Sequence, residues 1–123
     1  MKSIMKPSLN SIQANEFRES YRIQSGTSGR QKQKALIDEE WSEFHEAYHH
    51  KPLDHVLKEL ADLVYVCYQY AANEGWDLDE ALDRVHQSNM SKLDENGQPI
   101  YRADGKVLKG PNYKPPELGD LVK

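Results

Sequence analysis

The sequence predicts an all-α fold: a four-helix bundle followed by a C-terminal hairpin and extended arm, in an oligomer. Three observations predict it. Apolar residues recur at helical spacing through four stretches between Ser8 and Lys92. Helix-stop residues, Pro52 and Gly75 among them, separate the stretches. From Asp94 the composition changes: the tail holds four of the six prolines and four of the seven glycines. At 123 residues the chain fits one domain, with 1–93 helical and 94–123 as the arm.

The elements follow in order. Ser8 is placed to cap a first helix over 8–21, striped by Leu9, Ile12, Phe17 and Tyr21. Ser25-Gly26-Thr27-Ser28-Gly29 then reads as a flexible loop. It is not a phosphate loop, because no Gly-Lys-Ser/Thr follows. A second helix is expected over 31–48, ended by His49-His50-Lys51-Pro52. A third runs over 53–73 and stops at Gly75, a residue suited to the left-handed cap. Asp77, with Glu80 three residues on, opens a fourth helix that reaches about Lys92. In the tail, Asp104-Gly105 between Tyr101-Arg102-Ala103 and Lys106-Val107-Leu108 marks a hairpin. Pro111, Pro115 and Pro116 force an extended path, and Tyr113 and Leu118 give that path something to bury.

Composition excludes several classes. One cysteine, Cys67, leaves no internal disulfide framework and no Cys-based zinc site. No apolar run is long enough for a membrane span, so no membrane partner is expected. Met1–Asn10 lacks a hydrophobic signal core. A cytoplasmic protein is therefore expected. The net charge of −4 conceals a gradient. Residues 1–34 carry 7 basic and 2 acidic side chains, and residues 35–93 carry 4 and 13. An acidic middle repels a nucleic-acid polymer. It reads either as a solvated helical surface or as a site for hard cations.

Positions favour the cations. At about 100° per residue, Glu40 falls inside the apolar arc of the second helix and Glu43 at its edge. Glu39 lies further out. The third helix is apolar nearly all round, which implies burial on two sides. Its second face carries Glu59 and Asp62. A carboxylate on a buried face is costly unless paired, hydrogen-bonded or metal-bound. Glu40-x-x-Glu43 and Glu59-x-x-Asp62 on antiparallel helices can face one another, and four such groups need cations. Hard oxygen ligands without Cys suit Mg²⁺, with Mn²⁺ as a substitute. Asn89 and Lys92 interrupt the core-facing stripe of the fourth helix. They read either as a helix cap and a snorkelling lysine or as donors to an anionic substrate.

Glu39-Glu40-Trp41-Ser42-Glu43, fifteen residues, then Glu59-Leu60-Ala61-Asp62 resembles the E-E-x-x-E … E-x-x-D signature of the MazG-like all-α nucleoside triphosphate pyrophosphohydrolases. That superfamily includes dimeric dUTPases, dCTP pyrophosphatases and phosphoribosyl-ATP pyrophosphohydrolases. The resemblance spans roughly residues 30–115 and includes Asn89-x-x-Lys92. The segment 105–113 looks like the arm of the short single-domain members. The resemblance implies Mg²⁺ held by Glu40, Glu43, Glu59 and Asp62. It implies water attack at the α-phosphate of a (deoxy)nucleoside triphosphate, giving the monophosphate and pyrophosphate. Glu43 or Glu39 would be general base. Asn89, Lys92, Arg102 and Lys109 would bind substrate, the last two either over the phosphates or as solvated hairpin charges. Homodimers or dimers of dimers are implied, in keeping with the apolar third helix.

Two other readings stand beside this one. A di-iron bundle needs Glu-x-x-His on two helices. Glu46…His49 matches at a helix end, and Asp83…His86 is an imperfect second copy. A non-catalytic, antitoxin-like helical partner would use the carboxylates as a docking face.

Overall fold

The computed structural model describes residues 6–123. The signal-core reading of Met1–Asn10 falls in part on residues 1–5, which lie outside the described residues. Four α-helices form among the described residues: α1 (Leu9–Ser20), α2 (Thr27–His50), α3 (Leu53–Glu74) and α4 (Leu78–Met90). A 3-10 turn, Gly119–Val122, which the sequence reading did not anticipate, follows near the C-terminus. Residues 6–78 make one compact unit and 79–123 another.

In the first unit, α3 packs against both α1 and α2. The Ser8 hydroxyl accepts from the Ser11 N–H at 3.1 Å, capping α1 as expected. The start of α2 is a correction: the helix begins at Thr27, four residues before Gln31, so the expected Ser25–Gly29 loop shrinks to a short turn. The reason is tertiary. Gly26, at φ 119°, donates its N–H to the Asn73 carbonyl at 2.9 Å. The Asn73 amide donates back to the Gly26 carbonyl at 2.9 Å. Gly29 presses on the same side chain, where a Cβ would lie 2.5 Å from Asn73 Oδ1. Docking to the end of α3 overrides a loop-like composition. At its other end α2 runs through His49 and His50, both exposed, and α3 stops at Gly75 in the left-handed region (φ 73°).

A polar lock ties these helix ends together. Arg18, 5% exposed, donates to Gln69 Oε1 (3.3 Å), Asn73 Oδ1 (3.0 Å) and Ser25 Oγ (3.2 Å). The Gln69 amide donates to the Ala14 carbonyl at 3.3 Å. Asn73 also donates to Glu74 Oε2 at 3.0 Å, and Glu74 pairs with Arg30. Among the described residues the buried apolar ones are few: Ala14, Ala47, Tyr68 and Ala71. The expected burial of α3 on two sides is not met within the chain. Leu53 (85% exposed), Leu57, Leu60 and Val64 form an open stripe, because α1 and α2 cover the other faces.

In the second unit, α4 ends two residues before the expected Lys92, with Asn89 in its last turn and Lys92 just beyond. Tyr101 bridges Val107, Arg102 N–H donates to the Lys106 carbonyl at 2.8 Å, and Gly105 takes φ 88°. The chain then returns to α4. The Gly110 N–H donates to the Lys92 carbonyl at 2.8 Å, so closely that a Cβ there would sit 2.5 Å from the Leu93 oxygen. Ser88 Oγ donates to the Lys114 carbonyl (2.7 Å), and Arg84 grips Asp120 with two bonds of 2.6 and 3.0 Å.

Candidate metal centre

Antiparallel α2 and α3 meet along one seam. Gly29 abuts Asn73, Gln33 and Leu36 share a cavity wall with Gln69 and Val66, and Ala47 lies opposite His55. On α2 the seam residues are 29, 33, 36, 40, 43 and 47, spaced three and four apart, hence on one face. The two carboxylate motifs occupy the half nearer the hairpin turn that joins α2 to α3 at Lys51-Pro52.

Glu40, Glu43 and Glu59 each bring a carboxylate oxygen within 4.8 Å of the others. Glu40 Oε2 and Glu59 Oε2 are buried and have no hydrogen-bond partner. Orphaned carboxylate oxygens inside a protein are costly, and the cost shows as a displaced proton equilibrium. The Glu40 carboxyl is pushed up to about 7, by burial first, then by a hydrogen bond with Glu43 and the charges of Glu43, Asp62 and Glu59. Asp62 lies close enough to act on Glu40, but its own partner is Lys58, at 2.7 Å. Lys58 also reaches Glu59 Oε1 at 3.3 Å. These two carboxylates hold the ammonium well above the usual lysine range. Lys58 is thus a tethered counter-ion on the rim of the cluster. The sequence reading passed over it, although its place one residue before Glu59 and four before Asp62 puts it beside both.

Three of the four expected ligands therefore converge, and the fourth stands beside them. Converging hard oxygens, two of them buried and unpartnered, fit a hard divalent cation. Glu39 is exposed, outside the trio. A groove of about 460 Å³ adjoins the cluster, lined by Glu43, Glu46, Ala47, Lys51, His55 and Glu59. The remaining expected residues belong to the second unit. Asn89 is exposed and Lys92 half-buried. Arg102 is engaged by Asp104, at 3.0 and 2.6 Å, and Lys109 stands over the Tyr113 ring at 4.8 Å. Glu46 and His49 are exposed on the last turns of α2 and join no metal-type cluster among the described residues.

An all-α chain with carboxylates converging between two helices fits the MazG-like all-α class. Residues 7–89 match the model of the phosphoribosyl-ATP pyrophosphohydrolase family, and the chain belongs to that family. That family takes its name from the hydrolysis of a phosphorus anhydride. A relative in Acanthamoeba polyphaga mimivirus, described only as an uncharacterised protein, is 30% identical over 92% of this chain. The chain spans 55% of that relative's length. No helix among the described residues is long and apolar enough to cross a membrane.

Proposed function

We propose that the protein hydrolyses a (deoxy)nucleoside triphosphate to the monophosphate and pyrophosphate, with Mg²⁺ as cofactor. The observation that carries this is the pair of buried, unpartnered oxygens on Glu40 and Glu59, set within a trio of carboxylates. Glu40, Glu43 and Glu59 would hold the cation, with Asp62 joining once Lys58 releases it. When bound, Mg²⁺ neutralises phosphate charge and makes a nearby water easier to deprotonate. Glu43, in the cluster and exposed, is better placed than Glu39 to take the proton of the water attacking the α-phosphate. The groove beside Glu43 and Glu59 leaves room for that water and for the departing pyrophosphate. Asn89 and Lys92 as donors to substrate oxygens rest on the resemblance alone, as do Arg102 and Lys109. The open stripe Leu53, Leu57, Leu60 and Val64 supports a homodimer or a dimer of dimers as the working form.

Phosphoribosyl-ATP is a second substrate reading, favoured by the family that residues 7–89 match. One screen decides between the two: pyrophosphate release from canonical and modified NTPs and dNTPs and from phosphoribosyl-ATP, with Mg²⁺. We expect one group to be cleaved and EDTA to abolish release. Folded protein that releases pyrophosphate from none of them overturns the reading and returns the carboxylates to a docking role.

A further inference from the structure

A cavity of about 350 Å³ opens on the same seam, in the half away from the hairpin turn. Its walls include Phe17, Gln33, Leu36, Tyr65, Val66 and Gln69. The volume is at the low end of small-molecule pockets, and the lining is mixed aromatic and amide, as such pockets are. Phe17 and Tyr65 meet edge to face, with centroids 5.7 Å apart, and supply flat apolar walls.

Three amide side chains in this region are buried: Gln33, Gln69 and Asn73, at 5%, 4% and 2% exposure. Two are spent on the fold. Gln69 accepts from Arg18 and donates to Ala14, and Asn73 accepts from Arg18 and donates to Gly26 and Glu74. Gln33 differs, because its Oε1 is buried without a partner. A lost hydrogen bond of this kind destabilises the folded chain, and a Met or Leu of similar size would avoid the loss. A buried, unpartnered acceptor on a residue that lines a cavity is what a ligand N–H would complete once the amide turns toward it.

The spacing says which ligand. Gln33 precedes Glu40 by seven residues on one helix face, about 10 Å at 1.5 Å per residue. On α3, Gln69 follows Asp62 by the same seven residues. That separation matches the reach of a nucleotide from its base to its phosphates. We propose that this cavity holds the base of the substrate and that Gln33 reads it, by accepting a hydrogen bond from a base N–H. The proposal rests on the pyrophosphohydrolase reading and adds to it the residue that sets base preference.

The test uses the α,β-methylene analogues of ATP, GTP, CTP and UTP, titrated calorimetrically with Mg²⁺ into wild type and Gln33→Met. Wild type should favour one base. Gln33→Met should lose roughly 10- to 100-fold in affinity for that analogue, the worth of one buried hydrogen bond. The other analogues should change little, and the variant should melt no lower than wild type. Unchanged selectivity, an equal loss for every base, or a wild type indifferent to base each overturns the assignment. So does a fall in melting temperature with selectivity intact, since Gln33 would then serve the fold. Leu36→Trp is the second variant. It should fill the cavity and block every analogue while Mn²⁺ still binds the carboxylates, read by EPR. Analogue binding that survives Leu36→Trp sinks the cavity as the base site. A wild type that binds analogues and releases pyrophosphate while Gln33→Met keeps its selectivity fails this inference alone. A wild type that does neither fails the function beneath it.

Discussion

The two ends of the α2–α3 seam are built from the same kind of residue and used in opposite ways. At the end near Gly26 and Gly75, most buried polar side chains bond one another, while Arg18 Nε and Gln33 Oε1 stay without partners. Arg18, Gln69, Asn73, Glu74 and Arg30 form a linked set of bonds that joins three helices. At the hairpin end, Glu40, Glu43 and Glu59 crowd together, with two oxygens left without partners and one carboxyl driven toward neutrality. Burial alone therefore does not mark a site. What separates lock from site is the charge of the unpartnered groups: a guanidinium N–H and an amide oxygen at one end, two carboxylate oxygens in a cluster of like charges at the other. The first end is organised for the fold, and the second carries a cost that a bound cation would offset.

The largest expected effect breaks the comparison at the site end. Glu59→Gln should lower pyrophosphate release at least ~100-fold with the fold intact, because charge stabilisation at the reacting phosphate is a large term. Circular dichroism and an Mg²⁺-supported turnover assay check it, and near-normal turnover would remove the metal cluster from the mechanism. At the lock end the effect should fall on stability instead. Arg18→Met strands acceptors on Gln69 and Asn73 and should cost roughly 1.5–3 kcal/mol in urea unfolding. Turnover per folded molecule should stay near wild type. A smaller loss, about 1–3 kcal/mol, is expected for Gly29→Ala, where the new methyl must displace the Asn73 amide.

A further effect is a pH dependence confined to the site end. The Glu40 carboxyl is raised from 4.5 to about 7, so between those values the metal-free folded chain holds a proton that the unfolded chain lacks. Stability from this group is full below pH 4.5 and is lost as pH rises through 7. Metal-free protein should thus melt higher at pH 5 than at pH 7.5. Glu40→Gln should flatten that difference and raise the melting temperature at pH 7.5. A melting curve of Glu40→Gln with the wild-type pH slope would place the strain on another group.

Much of this was legible in the sequence, and for definite reasons. Glu40, Glu43, Glu59 and Asp62 betray themselves by spacing, since charges at three-residue steps inside apolar stripes have few structural uses. Gly75, the Ser8 cap and the Asp104-Gly105 turn follow from local backbone chemistry. The start of α2 did not, because Gly26 and Gly29 take their roles from Asn73, more than forty residues away. Nor did the lock. Arg18, Gln69 and Asn73 look like ordinary surface residues until the helices meet, although Gln69 and Asn73 continue the face that Asp62 begins. Gln33 stands on the same face of α2, seven residues before Glu40.

The seam's register also sets which changes in chain length the molecule can absorb. Glu43 and Glu59 stand on opposite sides of the bend at Lys51-Pro52, and each helix fixes the facing of its own residues. Residues added in equal number to both arms beside that bend would lengthen the tip and leave every pairing behind it in place. One residue inserted between Gln33 and Glu40 would swing everything before it by about 100° around the helix axis. The lock and the carboxylates could then no longer share a face. Insertions and deletions accumulated over many generations should therefore collect at the bend and spare the stretch between Gln33 and Glu43.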